Sequence, residues 1–438
     1  MLASLAASAV LRLIRHHEVD PRKVGYLALG TETSTDNSAG AVIVRGMVDR
    51  ALEQLGLPRL SRECEVPEFK HACLGGVYAM KAAARYLALD GADRVAIVVC
   101  ADIAEYERGS SGEQTQGAGA VAILLEPEAK LLELDLLHAG SSSDYRGPDF
   151  RKPHARHFVE GYANRTRRMH DFPVFSGKYS TFAYLEETMR AFDHLVAKSG
   201  KSALDTLRGA DALFLHRPYH HMPVQAVTYV YLRALLETPG NATVAALCSE
   251  LGISREALDA EATSRPDLFG RVLGGQGEVE PFPLTTQLVG ALRKTPELKA
   301  FLDAKLSLGS RGAADLGNLY TAALPAWIAS GLEEAVTLGM DLTNHRLLTI
   351  GYGSGDAAEA VPVRVVPGWA DAARRIGFAG ALEQHVDLTR EQYESLHDSN
   401  RAEGLPDLPG DRFRITRLGD RYEPSFQDLA IEYYEYAR

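Results

Sequence analysis

Leu2, Leu5, Ala6, Ala9, Val10, Leu13 and Ile14 recur at the 3.6-residue spacing of one helix face, so the chain is predicted to open on an amphipathic core helix. The pattern then changes. Val24 to Leu29, Arg94 to Cys100, Val121 to Leu125, Ala212 to Leu215 and Arg346 to Ile350 are short and nearly all apolar, as strands buried on both faces are. Helical patterns follow several of them, which predicts an α/β protein. Four of the five break off in a polar or glycine-rich turn: Gly30-Thr31-Glu32-Thr33, Ala101-Asp102, His216-Arg217-Pro218-Tyr219 and Gly351-Tyr352-Gly353-Ser354-Gly355. Ligands in such folds bind outside the carboxyl ends of strands, so Glu32, His216 and Ser354 are expected to converge although far apart in sequence.

From about Val227 to Leu306 successive helical patterns run without a convincing strand, with N-cap candidates at Asn241, Ser254 and Thr295, and predict a helical insertion. Residues 141–180 lack periodicity, are rich in Arg, His, Tyr, Gly and Pro, and read as a long loop of the kind that forms lids. Strand-rich first and last parts suggest a duplication. The expected organisation is an N-terminal half over 1–140, a lid-like loop and helix region over 141–200, and a C-terminal half over 201–438 carrying the insertion at about 235–300.

Composition narrows the function classes. The chain has 438 residues, 46% hydrophobic and 24% charged, which is ample material for more than one core unit. A net charge of -11 argues against nucleic acid or an anionic membrane as a general partner. No apolar run approaches the roughly 18 residues of a membrane span. Arg12, Arg15, Ser4 and Ser8, with no acid before Glu18, also fit a transit peptide, but the helical periodicity and the strand that follows favour a core helix. Cys64, Cys73, Cys100 and Cys248 lack C-x-x-C spacing, so a reduced, cytoplasmic setting is expected and a zinc site is not.

Cys73 lies in His71-Ala72-Cys73-Leu74-Gly75-Gly76, just ahead of a helical pattern through Val77, Met80, Ala84 and Leu87. A thiol at a helix N-terminus meets the positive end of the macrodipole, which is expected to lower its pKa and favour the nucleophilic thiolate. A plain buried cysteine is the alternative, and is expected for the other three. His216, His220 and His221 have no acidic or thiolate partner nearby, which argues against a metal site. The turn at Gly351 superficially resembles a dinucleotide fingerprint, but Asp356 replaces its third glycine.

Several motifs occur in one order. They are Gly30-Thr31-Glu32-Thr33, His71 to Gly76, Gly112-Glu113-Gln114-Thr115-Gln116-Gly117-Ala118-Gly119-Ala120-Val121-Ala122, Leu215 to Tyr219, Gly317-Asn318-Leu319-Tyr320-Thr321 and Tyr352-Gly353-Ser354-Gly355. In this set and order the chain resembles the 3-hydroxy-3-methylglutaryl-CoA synthases, a branch of the thiolase superfamily, from about Val10 to Ala358 and more loosely beyond. The resemblance implies a thiolase-like fold of two similar α/β halves in αβαβα layers, usually dimeric, so a homodimer is expected. It implies Cys73 as nucleophile, Glu32 as general acid/base and His216 as substrate-binding histidine. Asn318, Ser354, Tyr106, Gly353 and Pro218 would complete the substrate site. The implied reaction condenses acetyl-CoA with acetoacetyl-CoA and water and uses coenzyme A thioesters with no cofactor. Each residue also has a plain structural role open to it: Glu32 could cap its turn, Asn318 could cap the segment before Leu319, and Tyr106 could simply pack.

Three departures bear on function. Family members carry a longer N-terminal stretch that includes the first core strand, so the resemblance predicts a sheet edge or gap here. The segment from about His154 to Asp171 and the helical insertion are both long. Where many members place a lysine after the catalytic histidine to meet CoA phosphate, this chain has His220-His221-Met222-Pro223-Val224-Gln225. Replacement anchors would be Arg217, Arg151, Lys152, Arg156 or Lys178. Failing them, an acyl carrier protein would deliver the acyl chain to a synthase acting on carrier-bound β-ketoacyl groups. A catalytically silent thiolase-fold partner protein is the third reading.

Overall fold

The computed structural model describes the chain except residues 1, 34–39, 92, 154, 156–157, 160–171, 175, 384, 407–411 and 438. The first half comprises α1 (Leu2–His16), β1 (Val24–Gly30), α2 (Gly40–Gln54), β2 (Glu68–Phe69), α3 (Gly75–Leu89), β3 (Val95–Ala104) and β4 (Gly117–Leu125). The second comprises β5 (Leu132–Leu134), β6 (Gly140–Ser143), α4 (Lys178–Ser199), α5 (Ala203–Gly209), β7 (Ala212–Leu215) and α6 (His221–Leu236). It continues through α7 (Ala242–Leu251), α8 (Arg255–Thr263), α9 (Leu268–Leu273), α10 (Pro283–Leu292), α11 (Pro296–Leu306), α12 (Ala323–Thr337), β8 (Arg346–Gly353) and β9 (Ala357–Val365). Short elements close the chain: α13 (Trp369–Ala373), α14 (Phe378–Leu382), α15 (Arg390–Ser399), β10 (Arg412–Leu418), β11 (Tyr422–Glu423), β12 (Phe426–Gln427) and β13 (Glu432–Ala437).

The two halves repeat one plan. The first sheet runs β2-β1-β3-β4 and the second β5-β9-β8-β7, with β6 also on β9. β1 pairs parallel with β3 and β3 antiparallel with β4, just as β7 pairs parallel with β8 and β8 antiparallel with β9. Helices α1 and α2 cover the outer face of the first sheet, and α4 and α6 the outer side of the second. Between the sheets lie α3, against β1 and β3, and α12, against β7. These are the αβαβα layers of a thiolase-like fold. Strands buried on both sides explain the all-apolar runs: β1 is buried at all seven of its residues.

Several expected boundaries need correction. Residues 132–134 and 140–143 pair with β9, so the second sheet already begins within the span expected for the N-terminal half. Helix α4, expected as part of a lid, is a core element. It buries Tyr184, Leu185, Met189, Phe192 and Leu195 over β6, β8 and β9. The span expected for the C-terminal half also returns to the first: Phe413 of β10 and Tyr436 of β13 join the core beneath α1 and α2. Apolar side chains followed the nearest unburied face rather than sequence order. Helix α1 is rotated for the same reason, burying Ala7 and Leu11 with Ala6, Val10 and Ile14 while Leu2, Leu5 and Leu13 are half-buried.

The helical stretch forms as expected. Asn241, Ser254 and Thr295 each accept a backbone N–H three residues on. Val244, Leu258, Leu288 and Leu298 are fully buried in the second core, so α7, α8, α10 and α11 extend it, while Leu268 of α9 packs in a smaller cluster with Tyr179 and Phe182 of α4. The expected gap in the first sheet is an edge. Among the described residues β4 has no strand beyond it, and it is half-buried except at exposed Ala118, whereas β9, flanked by β5 and β6, is almost wholly buried.

Candidate active site

The duplication brings four chain segments to one seam. Glu32 follows β1 and His216 follows β7, its counterpart, while Cys73 precedes α3 and Asn318 precedes α12. The seam is close-packed at its glycines. A Cβ on Gly30 would lie 2.5 Å from Gly76 Cα, and one on Gly76 would lie 2.3 Å from Cys100 Sγ, so α3 meets β1 and β3 at backbone contact.

Asp102, fully buried in β3, organises the Glu32 turn. Its Oδ1 accepts from Thr31 Oγ1 (3.0 Å), Glu32 N (2.8 Å), Thr33 N (2.9 Å) and Thr33 Oγ1 (2.6 Å), and its Oδ2 from Thr321 N (3.0 Å). Thr321 Oγ1 in turn accepts from Gly76 N at 2.6 Å, which ties the Asn318 segment to the start of α3. Burial holds the Asp102 carboxyl up at about 7 even against these donors, which favour the ionised form. Sequence reading passed over its role. The available signal was an acid at the carboxyl end of an otherwise apolar strand.

Cys73 is 7% exposed and packs with Ala104, Tyr106, Tyr320 and Phe150. Ala72 before it has φ 41°, a strained conformation for a residue with a Cβ. The expected lowering of its pKa is not found. Burial raises the thiol well above its ordinary value, and the charges of Asp102, Glu32 and Asp149 add to that, while Lys152 opposes it. Desolvation beside three carboxylates outweighs a helix that starts only at Gly75. Cys73 therefore waits as a thiol. Acylation by a thioester should accelerate as pH rises through and beyond the usual thiol range near 8.5, measured by rapid quench. A rate already flat from pH 6 would contradict the raised pKa.

Asn318 donates from Nδ2 to Tyr106 Oη (3.4 Å) and accepts at Oδ1 from Tyr320 N (2.9 Å), so it closes the turn leading into Tyr320–Ala322, where Leu319 holds the cap position, and also touches the Cys73 cluster. His216 is 3% exposed and its ring forms a triangle with those of Tyr184 and Tyr352, whose centroids are 6.4 and 6.3 Å from it and 4.9 Å from each other. Tyr184 Oη donates to the His216 carbonyl at 2.8 Å. Burial pulls the imidazole down to about 3, so it is neutral at physiological pH, and its Nδ1 has no partner among the described residues. Gly353 brings the glycine-rich loop onto the Cys73 segment: a Cβ there would lie 2.6 Å from His71 O and 2.9 Å from Leu74 N. Asp149 anchors that loop, accepting at Oδ2 from Tyr352 Oη (2.9 Å) and Gly355 N (3.3 Å). Ser354 is half-buried. Pro218 is half-buried in the turn leading to α6 and makes none of these contacts.

The family model described as hydroxymethylglutaryl-coenzyme A synthase N terminal matches residues 1–130. The hydroxymethylglutaryl-CoA synthase of Haloferax volcanii is 27% identical over 414 residues, covering 92% of this chain and 81% of that protein. A hydroxymethylglutaryl coenzyme A synthase from a Fusarium species is 29% identical over 414 residues, covering 90% and 78%. Among solved structures, MvaS in complex with 3-hydroxy-3-methylglutaryl coenzyme A superposes with a TM-score of 0.74 at 26% identity, over 100% of this chain and 88% of that one. Along nearly its whole length the chain is similar to hydroxymethylglutaryl-CoA synthases. Its fold is shared more widely, with the curacin-pathway HMG synthase in complex with acetyl donor-ACP at a TM-score of 0.62 and 20% identity over 90% and 76% of the two chains.

Two of the cations expected to meet a CoA phosphate are drawn into the protein. Arg217 is 7% exposed, stacks 5.1 Å over Trp327 and donates to Ser310 O at 3.0 Å. It also meets His220 Nδ1 at 3.0 Å. Lys152 turns inward, as described below. Arg151 and Lys178 are exposed, and Arg156 lies outside the described residues. Among the described residues no group of three His, Cys, Asp or Glu side chains has the arrangement to hold a metal ion, and no helix is long and apolar enough to cross a membrane.

Proposed function

We propose that this chain condenses acetyl-CoA with acetoacetyl-CoA and water to give 3-hydroxy-3-methylglutaryl-CoA. One observation supports the reading: Cys73, Glu32, His216, Asn318 and the Ser354 loop, drawn from both halves, are set along one seam in a chain that superposes over its whole length on MvaS in complex with 3-hydroxy-3-methylglutaryl coenzyme A. The Cys73 thiol loses its proton and takes the acetyl group from CoA, whose thiolate leaves with a proton. Thioester carbonyls keep the methyl hydrogens acidic. Glu32 removes one, the methyl carbon adds to the ketone of the second thioester, and Glu32 returns its proton to the alkoxide. Neutral His216 and Asn318 orient and polarise that ketone, and the N–H groups of Cys73 and Ser354 stabilise the thioester oxyanions. Water then cleaves the enzyme thioester and frees Cys73. The chemistry needs no cofactor beyond the thioesters. The reading extends to a cytoplasmic homodimer serving the mevalonate route to isoprenoids.

The inward or buried positions of Lys152 and Arg217 favour a second donor, a phosphopantetheine thioester on an acyl carrier protein, which has no 3'-phosphate to recognise. Intact-protein mass spectrometry after acetyl-CoA, acetyl-dephospho-CoA and acetyl-carrier protein separates the two. Clear preference for acetyl-CoA, with a KM that Arg151→Glu raises in a salt-sensitive way, supports the free thioester. Equal and poor use of both CoA forms beside rapid transfer from the carrier protein overturns it. Absence of acetylation by any donor would leave the silent partner protein.

A further inference from the structure

Asp149-Phe150-Arg151-Lys152 crosses the seam directly over the Cys73 cluster. Phe150, at φ 43°, sets its ring edge-on to Tyr106 and Tyr320, with centroids 6.2 and 5.5 Å away. Val174 N donates to Arg151 O at 2.7 Å and holds the next residue outward. This alternation sends Arg151 to solvent and Lys152 inward, where its side chain is 22% exposed. Lys152 Nζ reaches 3.9 Å from Glu32 Oε1 and 6.0 Å from the Tyr320 ring centroid.

From this geometry we propose that Lys152 is a positioning residue for carbon–carbon bond formation: its ammonium, paired with Glu32, keeps that carboxylate ionised and fixed beside Cys73. The inference rests on the reading of Glu32 as the base. Glu32 lies in a dry site, where burial raises its pKa, and Lys152 is the largest opposing influence. The other groups facing it do not replace that cation. Lys70 and the Ala72 N–H, from the segment before α3, act in the same sense but more weakly. Asp102 from β3 and Asp149 from the crossing loop are acids and supply no positive charge. Cys73 is a neutral thiol, Tyr106 and Tyr320 are neutral phenols, and His216 carries no charge. Removing the Lys152 charge leaves a buried carboxylate among acids, which takes up a proton and ceases to be a base.

The sign follows: the condensation step requires ionised Glu32, so loss of the cation moves the acid limb to higher pH. The test pre-acetylates the enzyme, removes excess acetyl-CoA and chases with acetoacetyl-CoA in single turnover across pH, which isolates Glu32 from the Cys73 titration. Wild type, Lys152→Met and Lys152→Arg are compared. Lys152→Met should acetylate to wild-type stoichiometry, condense about tenfold more slowly at pH 7 and shift its acid limb upward by about one unit. Lys152→Arg should return the limb toward its wild-type place. An unmoved limb in Lys152→Met overturns the proposal, as does equal loss of acetylation and condensation. A defect confined to the KM for acetyl-CoA and erased by salt would make Lys152 a phosphate anchor and also overturn it. Failure of the wild type to form acetyl-Cys73 would instead remove the underlying reading.

Discussion

Cys73→Ser loses turnover by on the order of 10⁴-fold or more. The substitution removes one polarisable atom yet changes both half-reactions. A buried hydroxyl is far harder to ionise than a thiol that burial already holds well above its usual pKa. Any oxygen ester that did form would have less acidic methyl hydrogens than the thioester, so the second step would fail as well. The other cysteines cannot substitute. Cys64 is packed in the core beneath α1 and α2, Cys100 lies inside β3 against α3, and Cys248 sits on α7, away from the seam. Incubation with acetyl-CoA should add one acetyl group to the wild type and none to Cys73→Ser. Peptide mapping that placed the acetyl group on Cys64 or Cys100 would defeat the mechanism.

Glu32→Gln separates the two half-reactions. Its backbone N–H still donates to Asp102, so the turn is kept, and the amide is nearly isosteric with the carboxylate. Thioester exchange onto Cys73 needs no carbon acid, and acetyl-enzyme should form at close to the normal rate. Condensation needs a base at that position and should fall by about 10²- to 10⁴-fold. The wild-type acid limb then belongs to Glu32: burial moves its pKa up from the usual carboxylate range, while His216, held down at about 3, is already neutral throughout that window. Activity is lost as pH falls through the Glu32 pKa, and in Glu32→Gln the residual rate should show no such limb. Equal damage to acetylation and condensation would mean that Glu32 holds structure rather than moves protons.

Legibility differed between the fold and the site. The strand at Ala212–Leu215 and the three helix caps could be read residue by residue, because an apolar run bounded by turn residues and a side-chain oxygen three positions before a backbone N–H are local patterns. Domain limits were less legible. Nothing near Leu132 says that its partner is Val365, and nothing near Phe413 says that it will lie under α1. The lid expected from the irregular composition after Ser141 proved to include α4, whose buried face is recognisable only once β6, β8 and β9 are beside it.

Residue identity and order along the chain were enough to place Cys73 before a helix, Glu32 and His216 at the ends of equivalent strands, and the glycines where backbones meet, since each depends on short-range sterics and on a repeated αβ unit. Electrostatics belonged to the tertiary structure alone. The raised thiol of Cys73, the uncharged imidazole of His216, the five donors on Asp102, the burial of Arg217 over Trp327 and the inward turn of Lys152 all arise from groups distant in sequence. A charge in a dry seam is governed by what surrounds it in space, through desolvation and Coulomb terms that fall off with distance and take no account of position along the chain.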